Sequence, residues 1–384
     1  MQSEQKCVAI IQGTEEVHRP LFQSLSKALS DPVYLVRSNK QELLDDLLAL
    51  AKNQTVWVLP SNEVTLNALY KVLPTNLIHK KIIIPGTAKV DRIYYSHELS
   101  DKSILHSLMK DISFRTFETV KTSLVFLDQL DANTNCLRDL RFPLIVKPTT
   151  KDERDSFTLG FPSKILVAHS LDDLLSHLFC LDQELKGFSL MIQESIPGKN
   201  VSWFGRISGQ QAQGVMIESL VKSPVSAFGG TTTLARLRQV DDKLSGAVSE
   251  IAALLGLDGL FEIEFILSEG RLFFFYEINP RPILQASILL QLGYNVFADY
   301  LKENGFESSA IQENEAKGRS RVLWGSAHRY LNMNHSFATL SLRTFVTTAW
   351  HDVRFTNFFS IRERVSYAFL LLKLIFRTVV ASGG

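Results

Sequence analysis

In Phe261-Glu262-Ile263-Glu264-Phe265, apolar and acidic residues alternate. A strand turns successive side chains to opposite faces, so Glu262 and Glu264 share one face. The pattern returns at Leu272 to Asn279 and closes as Tyr276-Glu277-Ile278-Asn279-Pro280-Arg281, which puts Glu277 and Asn279 on a common face too. Gly270 marks a turn between the runs. A two-residue loop at Gly270-Arg271 would set Glu264 opposite Glu277, and one at Glu269-Gly270 would set Glu262 there instead. Both registers gather Glu262, Glu264, Glu277 and Asn279 on one face and leave Ile263, Phe265 and Ile278 on the other.

Carboxylates facing one another across a sheet repel, and in a partly desolvated site they take up protons unless a cation lies between them. A hard divalent ion answers that need. Magnesium prefers oxygen ligands, one or two carboxylates plus substrate phosphates, and the amide oxygen of Asn279 is a further suitable ligand. Arg281 adds a permanent positive charge where an anionic substrate or a developing oxyanion could be held. The plainer alternative is a solvent-facing hairpin whose acids pair with Arg271 or Arg281.

The rest of the chain must position this hairpin. Up to residue 98, the runs Val8–Ile11, Val33–Val36, Val56–Leu59 and Ile82–Ile84 alternate with helical stretches such as Gln41–Lys52, which predicts a small parallel sheet with flanking helices. Its first turn, Gln12-Gly13-Thr14-Glu15, lacks a dinucleotide fingerprint. A boundary is placed near residue 98, and a helix over Lys102–Lys110 is expected to start on Ser100 or Asp101 as N-cap. A second helix is expected over Val120–Leu130. Phe142-Pro143-Leu144-Ile145-Val146-Lys147-Pro148 then reads as a buried strand ending on a lysine, followed by a charged loop, Thr149–Pro162.

Beyond it, Ile165–Ala168 reads as a strand, Leu171–Leu185 as an amphipathic helix and Leu190–Glu194 as a strand. Val201–Ile207 and Gly214–Leu220 follow as antiparallel strands, and Asp241–Leu255 as a helix. The final 60 or so residues look mostly helical. In that tail Tyr367–Val380 is the most hydrophobic run, but Lys373 and Arg377 interrupt it and it falls short of the roughly 20 residues a spanning helix needs. Packing on its own domain, a partner or a membrane surface are all open to it.

With these pieces in place, residues 100 to 302 resemble the ATP-grasp superfamily, closest to its carboxylate-amine ligase branch and to the ATP-grasp domains of carbamoyl phosphate synthase and biotin carboxylase. The resemblance implies a parallel pre-ATP-grasp α/β domain over residues 1–98 and a two-lobed ATP-grasp domain with antiparallel sheets over 99–310. Within the latter the lid lobe runs over about 143–193 and the core lobe over about 194–310, and a mostly helical extension covers 311–384. The fold class is thus α/β followed by α+β. Glu264, Glu277 and Asn279 match the family's magnesium (or manganese) ligands and Arg281 its substrate- or phosphate-facing arginine. Lys102 and Lys147 match the two phosphate-contacting lysines.

Gln193-Glu194-Ser195-Ile196 resembles the adenine-reading hinge. Asn200 stands near the position of a ribose-binding glutamate, and Arg236 in a loop and strand on the substrate side. The family departs from this chain at the lid loop, which is usually glycine-rich and here carries only Gly160; Lys151, Arg154 and Lys164 are the candidates to compensate. The implied activity is an ATP-dependent ligation: a small carboxylate becomes an acyl phosphate, and an amine attacks it.

Composition narrows the rivals. With 41 basic and 40 acidic side chains among 384 residues, no global field draws nucleic acid. Cys7, Cys136 and Cys180 show no metal spacing and predict reduced thiols in a cytoplasmic protein. The short apolar run at Cys7–Ile11 is unlike a signal peptide. A homodimer is compatible with all of this. Neither GxxxxGK[ST] nor GxGxxG occurs. A bicarbonate-activating enzyme would need a biotin-carrying segment, and none is recognised; the one Met-Lys pair, Met109-Lys110, falls at the end of the stretch read as a helix. A non-catalytic ATP sensor or docking module is the remaining alternative.

Overall fold

The computed structural model describes residues 5–12, 18–37, 40–60, 63–73, 81–84, 86, 96–127, 137–150, 165–184, 188–209, 211–223, 231–283, 289, 296–307, 322–325 and 353–355. Its first sheet joins β1 (Lys6–Ile11), β2 (Val33–Val36), β3 (Thr55–Pro60) and β4 (Ile82–Ile83) in the order β2-β1-β3-β4, with every pair parallel. The crossovers are α1 (His18–Ala28), α2 (Lys40–Ala51) and α3 (Glu63–Val72). Cys7, Ala9 and Ile11 pack on one face of β1 and Val8 and Ile10 on the other, the two-sided burial expected of a parallel sheet. That is why these runs read as continuous apolar segments.

The 3-10 turn Ser96–Ser100 leads into α4 (Lys102–Met109), and Asp101 is its N-cap, its carboxylate accepting from Ser103 N at 2.8 Å. The segment expected to be a second helix is instead β5 (Glu118–Thr119) and β6 (Thr122–Phe126), with residues 128–130 outside the described ones. Its apolar residues do recur at helical spacing. What decides is the partner strand: β6 pairs antiparallel with β9 (Ser189–Glu194), whose other neighbour is β7 (Leu144–Pro148), and β8 (Leu166–Ala168) completes the sheet in the order β6-β9-β7-β8. Helix α5 (Leu171–Glu184) supplies Leu174 and Leu178 to the core beneath it.

The largest sheet has eight strands in the order β16-β15-β12-β11-β10-β13-β14-β5. Its centre is β10 (Lys199–Ser208), β11 (Gln211–Ser223), β12 (Thr231–Arg238), β13 (Gly259–Ser268) and β14 (Arg271–Asn279), all antiparallel. In the stretch expected to be a helical extension, the described residues are β15 (Val322–Gly325) and β16 (Val353–Phe355), both added to this sheet; Tyr367–Val380 lies outside the described residues.

The two faces of this sheet do different work. Behind it lies α6 (Asp242–Leu255), capped by Asp241 and burying Leu244, Ala247, Val248, Ile251, Ala252 and Leu255 at helical spacing. They meet Trp203, Phe261, Ile263, Phe265, Phe274, Tyr276 and Ile278. On the front, Phe204, Val215, Ile217, Leu237 and Leu260 pack against Val8, Ile10, Trp57 and Leu59 of the parallel sheet, with Phe297, Tyr300 and Leu301 of α7 (Val296–Glu303) between. A side chain at Gly86 would meet Leu260 O and Pro280 Cβ, each at 3.2 Å, so the exit of β4 abuts the end of the β13–β14 hairpin. Among the described residues no helix is long and apolar enough to cross a membrane.

Candidate functional site

The hairpin turns through Glu269-Gly270, since Ser268 pairs with Arg271. Both turn residues have positive φ, 48° and 75°, as a two-residue I′ turn requires. That register alone would oppose Glu262 and Glu277. It does not persist. Between Phe265↔Phe274 and Ile263↔Ile278, β13 spends one residue, Glu264, while β14 spends Phe275, Tyr276 and Glu277. The resulting bulge holds Tyr276 at φ 61°, and beyond it Glu262 faces Asn279. Neither simple register is realised, yet the extra length on β14 is an even number of residues and parity survives. Ile263, Phe265 and Ile278 point into the rear core as the alternation predicted.

On the front face the four polar residues converge. Asn279 Nδ2 donates to Glu262 Oε2 at 3.0 Å and to Glu264 Oε1 at 3.2 Å. Glu262 and Asn279 are buried, whereas Glu264 and Glu277 are half-buried. Desolvation raises the pKa of the Glu262 carboxyl, opposed by the Arg281 guanidinium and by hydrogen bonds from Ser202 and Asn279, and assisted by the negative charge of Glu277. Arg281 reaches Asn279 Oδ1 only at 3.4 Å and Pro282 O at 3.3 Å, and its Nε is buried without a hydrogen-bond partner. A buried donor left without a partner is costly and marks a place where an anion would be welcome.

Lys147 ends β7 as expected, but it is buried, 8% exposed. Its ammonium donates to Phe275 O at 3.1 Å and lies 4.9 Å from the centre of the Phe275 ring. The bulge is what turns that carbonyl toward the lysine. Lys102 opens α4, and its backbone N–H donates to Thr149 O at 3.1 Å, which ties the start of that helix to the residue just after β7. The two lysines thus stand at adjoining chain segments.

The hinge residues lie along β9. Gln193 is buried, its Nε2 donating to Thr122 Oγ1 at 2.9 Å. Glu194 accepts from Arg141 N at 3.0 Å, and its own N–H donates to Lys121 O at 3.0 Å. Ser195 N–H donates to Pro143 O at 3.0 Å, so it is already committed, and Ile196 follows it in the chain. Asn200 sits in β10 across from Ile266, two residues from Ser202, which pairs with Glu264. Arg236 lies in β12, where its backbone pairs with Glu218 and Leu323, and β11 and β10 stand between that strand and β13. At about 4.8 Å per strand the two strand axes are roughly 14 Å apart. Lys151, Arg154, Gly160 and Lys164 lie outside the described residues.

Ser202, Phe275 and Thr122 were not legible as site residues. Ser202 shares the parity of Asn200, but only the pairing of β10 with β13 brings it to Glu262; the roles of Phe275 and Thr122 depend on a bulge and on a long-range strand pair. Among the described residues no group of three or more His, Cys, Asp or Glu has metal-holding geometry. The hairpin set is two half-buried carboxylates and an amide, with a third, desolvated carboxylate behind them. Hard oxygen donors in that number fit a magnesium ion that takes its remaining ligands from phosphate and water, and the orphaned Arg281 Nε fits the phosphate.

No protein-family model and no curated protein matches this chain. Solved structures do. The D-alanine–D-alanine ligase of Bacillus anthracis complexed with ATP aligns over 78% of this chain and 96% of its own, at 14% identity and a TM-score of 0.51. The biotin carboxylase–β,γ-ATP complex of Campylobacter jejuni aligns over 80% and 72%, at 13% identity and 0.55. The phosphoribosylamine–glycine ligase of Thermotoga maritima aligns over 80% and 77%, at 12% identity and 0.52. With its parallel sheet, four-stranded antiparallel sheet and eight-stranded mixed sheet, this chain shares the fold of these enzymes, the ATP-grasp fold.

Proposed function

We propose that this protein is an ATP- and magnesium-dependent ligase that activates a small carboxylate as its acyl phosphate for attack by an amine. The observation that carries the proposal is the front face of the β13–β14 hairpin, where Glu264, Glu277, Asn279 and Arg281 converge and the β14 bulge brings in Lys147. The solved structures with this fold include a ligase bound to ATP and a carboxylase bound to an ATP analogue, which supports the nucleotide.

Magnesium bound by Glu264, Glu277 and Asn279 supplies charge neutralisation for the phosphates and the transferring phosphoryl group. The chain's own groups do the rest. Lys147, held beside the bulge, and Lys102, at the start of α4, contribute positive charge to the phosphates. Arg281 directs its unpartnered Nε to the phosphoryl or the carboxylate oxygens, where charge develops during transfer. Gln193 and Glu194 fix the course of β9, and with the Ser195 N–H engaged by Pro143, the Ile196 N–H is the donor we assign to the adenine edge. Asn200 is assigned to the ribose. Arg236 is assigned to the substrate side, as a ligand for a carboxylate or phosphate. No side chain need be covalently modified, because positioning and charge stabilisation carry the reaction.

The division into domains at residues 98 and 310 is part of the same proposal, supported by β1–β4 forming one sheet and β13–β14 another. Because β6 pairs with β9, the lid lobe would also take in residues before 143. The same proposal takes in a cytoplasmic setting and small-molecule partners, and it is compatible with a homodimer and with membrane contact by a C-terminal helix. The direct test is an ADP-release screen of small carboxylates against amines, with Glu277→Ala as control. Turnover that needs both substrates and disappears in the variant supports the ligase; turnover unaffected by Glu277→Ala sinks the metal site. Binding of ATP with magnesium but no ADP release with any pair would favour a sensor.

A further inference from the structure

Glu262 is the one acid of the hairpin face that the proposed ligand set does not use, and it is buried more deeply than Glu264 or Glu277. It lies directly across from Asn279 in the β13–β14 pair, accepts the Asn279 Nδ2 proton at 3.0 Å and is steadied by the Ser202 hydroxyl. The side-chain amide of asparagine is planar, with nitrogen and oxygen on opposite branches, and its two orientations differ only by what surrounds them. A carboxyl oxygen accepts, and Glu262 Oε2, 3.0 Å away, receives the nitrogen branch. Glu264 Oε1, 3.2 Å from the same nitrogen, acts in the same sense. The oxygen branch is then turned away, toward Arg281 Nη2 at 3.4 Å, a contact too long to hold it strongly.

We infer that Glu262 is a positioning residue: it is not itself a ligand, but selects the orientation of the Asn279 amide in which Oδ1, and not Nδ2, is offered to a divalent cation. The inference rests on the metal reading proposed above and deepens it. A flipped amide would present N–H groups to the cation, a repulsive arrangement. Partners behind a ligand commonly set metal affinity by 10- to 100-fold.

Binding of Mn2+ in the presence of a non-hydrolysable ATP analogue, followed by electron paramagnetic resonance, tests this without turnover. Glu262→Gln keeps the size of the side chain but can offer either a donor or an acceptor, so the choice of orientation is lost and Mn2+ binding should weaken about 10-fold or more. In the double variant Glu262→Gln, Asn279→Asp, both branches at 279 are oxygens and orientation no longer matters. Binding should then lie within about threefold of that of Asn279→Asp alone, by the same measure.

Asn279→Asp alone measures what its added charge contributes, and a loss caused by Glu262→Gln that vanishes in that background supports the inference. For a direct ligand or a merely structural Glu262 the loss is as large in the Asn279→Asp background as in wild type, and that result overturns the inference. So does Glu262→Gln binding like wild type. Should Glu262→Gln not fold, Ser202→Ala releases the carboxylate more gently and should weaken Mn2+ binding in the same direction; unchanged binding there overturns the inference as well. A wild-type protein that binds no Mn2+ with the analogue overturns the metal reading itself, a failure plainly distinct from loss of rescue.

Discussion

Replacing Arg281 with methionine should separate stability from turnover. In the folded protein this guanidinium gains little from its hydrogen bonds: 3.3 Å to Pro282 O and 3.4 Å to Asn279 Oδ1 are long contacts, each contributing less than the ~1 kcal/mol of an average bond. Its buried, partnerless Nε costs about 1–3 kcal/mol. Methionine removes both the weak bonds and the orphaned donor. What it also removes is the attraction to Glu262, whose carboxyl would then lean further toward its protonated form, a relief that limits the damage. The opposing contributions leave the net change in folding stability within about 2 kcal/mol of zero, a shift of several degrees in Tm at most.

Turnover should respond quite differently. A group aimed at charge that develops only in the transition state is worth about 2.7–4 kcal/mol, or about 100- to 1,000-fold in rate. With a carboxylate and amine pair from the ADP-release screen, kcat/KM of Arg281→Met should fall by that factor, while Arg281→Lys, which keeps the charge but loses the planar fork, should lie between. A Tm shift of only a few degrees in the same preparation shows that the loss is chemical. Turnover within about fivefold of wild type, or a loss matched by wholesale unfolding at the assay temperature, would refute the assignment of Arg281 to the transferring group.

Three further outcomes follow from other parts of the fold. His106 packs edge-on to Tyr276 at 5.2 Å, and burial, then the charge of Lys110, lower its pKa, while the backbone of Thr122 and the charge of Asp111 oppose the shift. Its folded pKa thus lies below the unfolded value near 6.5, so the unfolded chain binds the extra proton and stability falls as pH drops below about 6.5; His106→Phe should flatten the urea midpoint against pH between about 5 and 7, and an unchanged slope would exclude this residue as its source. The Cys7 thiol is buried and pushed up to about 12, chiefly by desolvation, so peptide mapping after alkylation at pH 8 should find it unlabelled in the native protein and labelled in urea. At Gly205 an added Cβ would fall 2.1 Å from Gln213 O and 2.5 Å from Gly214 Cα, so Gly205→Ala should force β10 from β11 and cost about 1–3 kcal/mol in a denaturation experiment, whereas alanine at the open Gly209 meets no neighbour and is opposed only by its positive φ of 53°.

The particular residues show where a sequence speaks and where it stops. The central strands β1 and β3 of the parallel sheet are legible because burial on both faces leaves unbroken apolar runs, and local chemistry narrows the N-cap to Ser100 or Asp101, of which the fold uses Asp101. The front face of the hairpin is legible because parity is local: Glu262 and Glu264 share a face whatever they pair with. Pairing is not local. Residues 120–130 carry apolar spacing compatible with a helix, and only the distant β9 makes 122–126 a strand. The bulge at Phe275–Glu277 has no marker such as glycine, so neither the Glu262↔Asn279 register nor the Phe275 carbonyl beside Lys147 could be read from the chain.

That bulge explains how a polar face of this kind can be held at all. A positive φ at a bulky residue is strained, and Tyr276 adopts it at 61°. The tyrosine is buried behind the sheet, 5.6 Å from Phe274 and 5.2 Å from His106, in a cluster that continues through Phe265 and Phe117. Such aromatic contacts contribute about 0.5–1.5 kcal/mol each beyond the area they bury, enough in sum to offset a strain of about 1–3 kcal/mol. Rear packing therefore fixes a backbone that the front face uses: it turns Phe275 O to Lys147, sets Glu277 beside Glu262 and brings Asn279 across from Glu262. If that is the cause, Tyr276→Gly should keep the bulge and much of the Mn2+ affinity while losing stability, since glycine accepts this φ freely. Tyr276→Val, β-branched and poorly suited to positive φ, should lose both.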